Sequence, residues 1–184
     1  MAGMSEEFET LSDKALVSCT LEGSERAFEL LYERHYWMVY RVAYRLSGTK
    51  EDAQDIAQEV FVRTARHLKT YQGKAKFTTW LYRTTMNAAI DWRRKVARRR
   101  EGAEKYYREA EPIDAVDSDS SQVLEALDTL SHQEREAIVL VFYEDMTHRE
   151  AAEVLGRKEG TVSWRIYQAK RKLKKYLQQD GDHE

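Results

Sequence analysis

Apolar positions in this chain recur at helical spacing, and no stretch alternates as a half-buried strand would. In "SERAFELLYERHYWMVYRVAYRLSG", Ser24 is a candidate N-cap, and Phe28, Leu31, Tyr32, His35, Val39, Val42 and Leu46 trace one stripe before Gly48 stops the helix. "TKEDAQDIAQEVFVRTARHL" predicts a second helix, with Ala53, Ile56, Ala57 and Val60 on its apolar face. "KFTTWLYRTTMNAAIDWRRK" predicts a third, with Leu81, Thr85, Ala88 and Trp92 along one side. From about Val96 to Ser121 the period fails. "EAEPIDAVDSDSS" holds five acids, no base and several turn formers, the composition of a partly disordered linker. Leu124, Leu127 and Leu130 then resume the period. Ser131 with Glu134, and Thr147 with Glu150, have capping-box spacing and set two helix starts. Gly156 ends the second of these helices, and another begins near Glu159. The expectation is an all-α chain of two small helical domains, residues 1–97 and 122–184, joined by a flexible acidic linker at 98–121.

Composition narrows the class. At 184 residues, 42% hydrophobic and 34% charged, the chain can build a packed core, though not a large one. It has no run of about 18 apolar residues, so no membrane insertion is expected. The acidic start "MAGMSEEFET" lacks the apolar stretch of a secretory signal. Cys19 stands alone, so no internal disulfide can form and a cytoplasmic setting is expected. The histidines at 35, 67, 132, 148 and 183 show no ligand spacing with it, and no metal site is expected.

A net charge of −2 argues against a nucleic-acid partner until the distribution is considered. Asp91 to Arg108 holds eight bases against three acids, and Arg157 to Lys175 holds eight bases and one acid. Two basic blocks separated by an acidic stretch imply two contact surfaces. The second block lies in "THREAAEVLGRKEGTVSWRIYQAKRKL", which has helix-turn-helix spacing. Ala151, Val154 and Leu155 face inward, and Val162, Ile166, Ala169 and Leu173 pin the following helix. Lys158, Thr161, Ser163, Trp164, Arg165 and Gln168 are left toward the front, where a major groove would be met. Arg165, opposite the Val162–Ile166 stripe, is expected to aim its guanidinium at the groove. Trp164 falls at the boundary, and burial and exposure fit the period equally.

In the segment ahead of the first block, rings and cations share one helix and the loop before it. Tyr71, Phe77 and Trp80 lie beside Lys74, Lys76 and Arg83. Duplex DNA hides its base faces, whereas unpaired bases stack on rings at about 1–3 kcal/mol each. The combination suits single-stranded or melting DNA. Trp92 shares the apolar stripe and reads as core, whereas Trp80 falls on a second face with Asn87, Asp91 and Arg94. A third cluster, Asp52, Asp55 and Glu59 with Gln58 beside them, occupies one helix face. Spacing alone favours an ordinary solvated surface here. No nucleophile–base pair or phosphate loop accompanies it, so neither an enzyme nor a cofactor is expected.

The segments "FELLYERHY", "EDAQDIAQEVF", "FTTWLYRTTMNAAIDWRR" and "GTVSWRIYQAKRKL" resemble, in this order, the extracytoplasmic-function sigma factors of bacterial RNA polymerase. The likeness runs from about Asp13 to Leu177. It implies a helical sigma-two domain, a linker and a sigma-four helix-turn-helix domain. It also implies core RNA polymerase and promoter DNA as partners, and an anti-sigma factor that restrains the protein. By the same resemblance, Asp52, Asp55, Gln58 and Glu59 would dock on the polymerase clamp, against the bland reading that spacing favours. The loop "TYQGKAKF" would capture a flipped base, Asn87, Asp91 and Arg94 would face the minus-ten element, and the last helix would read the minus-thirty-five element. The chain departs from the common family pattern at Ser163, where a base is usual, at Trp164, where a small residue is usual, and at Gln168, where arginine is frequent.

Overall fold

The computed structural model of the chain describes residues 10–103 and 118–180. Every regular element among the described residues is helical: α1 (Asp13–Leu21), α2 (Glu25–Ser47), α3 (Lys50–His67), a 3-10 turn (Leu68–Thr70), α4 (Phe77–Ala103), α5 (Ser118–Asp128), α6 (His132–Ile138), a π-helical turn (Val139–Tyr143), α7 (His148–Leu155) and α8 (Glu159–Asp180). They form two compact units, one within residues 1–44 and 49–88, the other within 45–48 and 89–184. The division falls inside α4 and near the end of α2.

Polar side chains at the helix starts define the first unit locally. The Ser12, Ser24 and Thr49 hydroxyls accept from the backbone N–H groups of Ala15, Ala27 and Asp52, which satisfies donors that the helices leave open. Helix α1 has no counterpart in the sequence expectation. It is tied to α2 by Asp13, whose carboxylate lies 2.6 Å from Arg34 and 2.9 Å from Nε2 of the buried His35. The core then closes over Leu16, Leu31, Val39, Val42, Ile56 and Leu81. Tyr32 departs from the expected inward stripe, with 41% of its surface exposed. It packs edge-on to Phe61 and begins a ladder with Tyr36, Tyr40 and Tyr44 at ring separations of 5.2, 6.1 and 6.3 Å. Residues four apart stack along a helix surface, so their spacing alone does not separate a core stripe from an aromatic ladder.

In the second unit both expected capping boxes form. Ser131 N–H donates to Glu134 at 2.7 Å and Thr147 N–H donates to Glu150 at 2.9 Å, while each hydroxyl accepts the returning N–H. Gly156 ends α7 at φ 61°, a left-handed conformation that favours glycine. The core joins Leu127, Leu140, Ala151, Val154, Val162, Ile166 and Ala169. The period that fails at Val96 does not end the helix, because α4 continues to Ala103. Arginine, lysine and alanine are good helix formers, and Arg98 donates back to the Arg94 carbonyl. The hydrophobic stripe stops there, but the backbone preference does not. Helix α5 starts at Ser118, inside the span expected to be linker. Most of that linker, residues 104–117, lies outside the described residues.

Candidate nucleic-acid and partner surfaces

The wall between α3 and α4 is a groove of about 370 Å³ lined by Glu59, Arg63, Arg66, His67, Trp80, Thr84 and Asn87. Its position follows from the packing of the two helices. Val60 and Thr64 on α3 and Leu81 and Thr85 on α4 are buried, so the residues beside them stand at the rim. Trp80 is half-buried and Asn87 exposed, as expected for the polar-aromatic face. Further along α4, Asp91 and Arg94 are exposed and lie 4.0 Å apart. Trp92, expected in the core, is only half-buried.

Above the groove, Tyr71, Phe77 and Trp80 form a ring cluster with centroids 5.8–6.0 Å apart. Phe77 is not an open stacking ring. It is 3% exposed and rests 5.5 Å from the His35 ring, because it heads α4 where the helix turns onto the core. Tyr71 and Trp80, both half-buried, remain as the accessible rings. The Tyr71 hydroxyl donates to the Ala75 carbonyl at 2.7 Å, which closes the loop around Gly73 at φ 68°. Burial, with a smaller contribution from the Asp13 carboxylate, raises the Tyr71 phenol above its usual range. It therefore stays neutral and able to donate. Lys74, Lys76 and Arg83 are exposed around this cluster. Sequence reading missed Arg63, Arg66 and His67, which line the groove from α3. Their i, i+3, i+4 spacing was the available signal.

On α3 the four expected partner-binding residues do not act alike. Asp55 and Gln58 are exposed. Asp52 is half-buried and accepts from the Thr49 hydroxyl at 2.7 Å, which makes it part of the helix cap. Glu59 pairs with Arg63 at 2.7 Å and lines the groove just described. Gln58 instead borders a second cleft of about 490 Å³ with Phe28, Tyr32, Tyr36, Gln54, Phe61, Val62 and Ala65. The carboxylate edge thus runs beside an aromatic-floored cleft, a feature the sequence reading did not foresee.

On α8, Val162, Ile166 and Ala169 are buried as expected, and Leu173 is half-buried. Lys158 and Thr161 are exposed and Gln168 half-buried. Trp164 is 61% exposed, which resolves its boundary position toward solvent. Ser163 Oγ lies 2.8 Å from His148 Nδ1 and donates to the Glu159 carbonyl, so its hydroxyl is engaged within the fold. Arg165 reverses its expected placement. It is 7% exposed, and its guanidinium donates to Gln133 Oε1 at 2.8 Å. A helix stripe spans more than 100°, and Arg165 falls on its flank rather than opposite it. Nearby Glu136 is also buried. That burial raises its carboxyl above the usual range, with Arg93, Arg165 and Arg157 pulling it back. The exposed ring that sequence reading missed is Tyr167, 58% exposed, with the Arg171 guanidinium 5.9 Å from its centroid.

Family models match twice: sigma-70 region 2 over residues 31–100 and sigma-70 region 4 over residues 120–173. The chain is 36% identical over 163 residues to the ECF RNA polymerase sigma factor SigE of Mycolicibacterium smegmatis, covering 82% of this chain and 62% of that protein. It is 30% identical to SigW of Bacillus subtilis, covering 85% of this chain and 91% of that protein. Among solved structures, CnrH in complex with the cytosolic domain of CnrY aligns with a TM-score of 0.71 at 29% identity, over 91% of this chain and 98% of that one. RpoE in complex with the anti-sigma factor NepR from Bartonella quintana aligns with a TM-score of 0.70 at 22% identity, over 82% and 96%. That second likeness is one of fold.

Proposed function

For this chain, which belongs to the extracytoplasmic-function sigma factors that direct RNA polymerase to promoters, we propose how its own surfaces divide the work. The first unit binds core polymerase through the outer edge of α3. Asp55 and Gln58 supply exposed polar contacts, the Phe28–Tyr32–Phe61 cleft supplies apolar area, and Asp52 holds the helix start. The α3–α4 groove takes the unpaired minus-ten strand. Tyr71 and Trp80 offer stacking faces, Arg63, Arg66, Lys74, Lys76 and Arg83 meet phosphates, and Asn87 offers an amide to a base edge. Asp91 and Arg94 lie further along α4 toward the same element.

The second unit docks α8 on the minus-thirty-five duplex, with Lys158, Thr161, Trp164 and Gln168 facing the DNA. Arg165 acts from behind by holding the helix to α6 through Gln133. The protein performs no catalysis itself and works in the cytoplasm. No described helix is long and apolar enough to cross a membrane. An anti-sigma factor restrains it, in keeping with CnrH, 29% identical to this chain, which is itself bound to the cytosolic domain of another protein, CnrY.

The observation that carries this division is the α3–α4 groove, where a half-buried tryptophan meets two arginines, a histidine, a glutamate and an amide. Duplex DNA cannot use such a ring, whereas a melted strand can. The test is transcription by core polymerase with this chain on duplex and pre-melted templates of one promoter. Defects in groove variants should be largely rescued by pre-melting, because unpairing is then already done. Equal defects on both templates overturn the assignment of the groove.

A further inference from the structure

Resting on the reading above, we propose that the minus-thirty-five element of this sigma factor is read as A·T base pairs, with Gln168 specifying adenine and the rings of Trp164 and Tyr167 specifying thymine. Three observations carry the proposal.

The first is which side chains lie outermost. The buried stripe of α8 is Val162, Arg165, Ile166 and Ala169. At 100° per residue, the line directly opposite passes through Gly160, Trp164, Tyr167 and Arg171. Trp164 and Tyr167 are 61% and 58% exposed, and neither is sheltered as a core ring would be. The element that faces the groove therefore leads with apolar surface.

The second is what guanine recognition would need. Reading O6 and N7 together requires an arginine fork or a lysine at the groove floor. Arg165, the only arginine in the first three turns of α8, is buried and donates to Gln133. Ser163 is engaged with His148 and the Glu159 carbonyl. The remaining cations bracket the rings. Arg157 and Lys158 precede the helix, Lys170, Arg171, Lys174 and Lys175 follow, and Lys172 pairs with Glu134 at 2.7 Å. Lys170 lies 4.7 Å over the Phe142 ring, to the side of the reading face. Placed at both ends, these charges suit the phosphates on either wall of the groove, which position the helix without reading sequence.

The third is the chemistry that remains between them. Gln168 is half-buried beside the ring line, one turn after Trp164. Its amide offers one donor and one acceptor in the arrangement that matches adenine N6 and N7. The only base feature that gains from apolar contact in the major groove is the C5 methyl of thymine. Rings and an amide together describe an A·T reader, and the fork for a G·C reader is folded away.

The experiment uses the full chain with core polymerase and a promoter library randomised through the upstream element. Expected is enrichment of adenine at one position and thymine at one or two neighbours. Gln168→Arg should move the adenine position to guanine, and Gln168→Ala should flatten it by roughly five- to a hundred-fold in relative use. Replacing the enriched thymines by deoxyuridine removes only the methyl groups. It should lower initiation a few-fold with the parent protein and leave a variant carrying both Trp164→Ala and Tyr167→Ala unaffected. An upstream element rich in guanine, unmoved by Gln168→Ala, overturns the proposal while leaving the sigma-factor mechanism standing. So does equal initiation from thymine and deoxyuridine templates. Loss of all sequence preference in the parent protein overturns both readings together.

Discussion

Helices α4 and α8 both combine rings with cations, and they sort them in opposite directions. At the start of α4 the rings turn toward one another: Phe77 is buried, Tyr71 and Trp80 are half-buried, and Lys74, Lys76 and Arg83 surround them in solvent. On α8 Arg165 goes inside while Trp164 and Tyr167 go out. The difference fits the state of DNA proposed for each surface. A melted strand offers base faces to a recessed ring cluster edged by charge. A duplex offers only groove edges, so rings placed outermost touch methyl groups, and an arginine placed inside contributes to the fold instead.

The comparison breaks most visibly at Phe77. Phe77→Ala should destabilise the first unit by about 3–5 kcal/mol, the cost of emptying a buried aromatic site. Thermal unfolding of the full chain measures it, and a change confined to promoter opening would place Phe77 among the open rings after all. Arg165→Ala comes next, at about 1–3 kcal/mol of stability, through loss of the part-buried hydrogen bond to Gln133 and of the guanidinium near the buried Glu136 carboxyl. Trp164→Ala should leave stability within about 0.5 kcal/mol, since its ring is exposed. The contrast between these neighbours, read by denaturant unfolding, tests the inversion directly.

Trp80→Ala should cost about 1–3 kcal/mol in open-complex formation on duplex templates. Asp55→Lys should weaken core-polymerase binding about tenfold, or ~1.4 kcal/mol, with thermal stability unchanged because Asp55 is exposed. Asp52→Lys cannot serve as cleanly, because Asp52 also accepts from the Thr49 hydroxyl at the helix cap.

The smallest effect is in pH. Burial holds the His35 imidazolium below its usual value of 6.5, against the opposing pull of the Asp13 carboxylate. As pH falls through about 6.5 the unfolded chain therefore takes up the proton first, and stability is lost on acidification. His35→Gln should flatten that slope in melting temperatures measured between pH 8 and 5. An unchanged slope would assign the acid sensitivity to other groups.

Much of this arrangement was legible in the chain. The capping pairs Ser131–Glu134 and Thr147–Glu150, the stop at Gly156 and the start near Glu159 are local chemistry, and the structure holds all of them. The Trp80–Asn87 face was legible because both residues belong to one helix, whose geometry fixes their angular relation. Arg63, Arg66 and His67 share one face by spacing, but that this face lines a groove depends on which helix packs beside α3. Tyr32 went to the wrong side because an aromatic ladder and a core stripe share the same spacing.

The sequence by itself determined the capped helix starts at Ser131 and Thr147 and the stop at Gly156, which positions are apolar, and that two basic blocks stand apart; α1 and the run of α4 on to Ala103 it did not. Those features depend on backbone hydrogen bonding and on a side chain's own affinity for water, which each residue carries with it. Only the tertiary structure decided that Arg165 is buried while Trp164 and Tyr167 are exposed, and that Phe77 anchors while Trp80 stays accessible. A residue on the flank of a stripe is buried or exposed according to what packs against it. For Arg165 that partner is Gln133, 32 positions away and invisible to any local pattern.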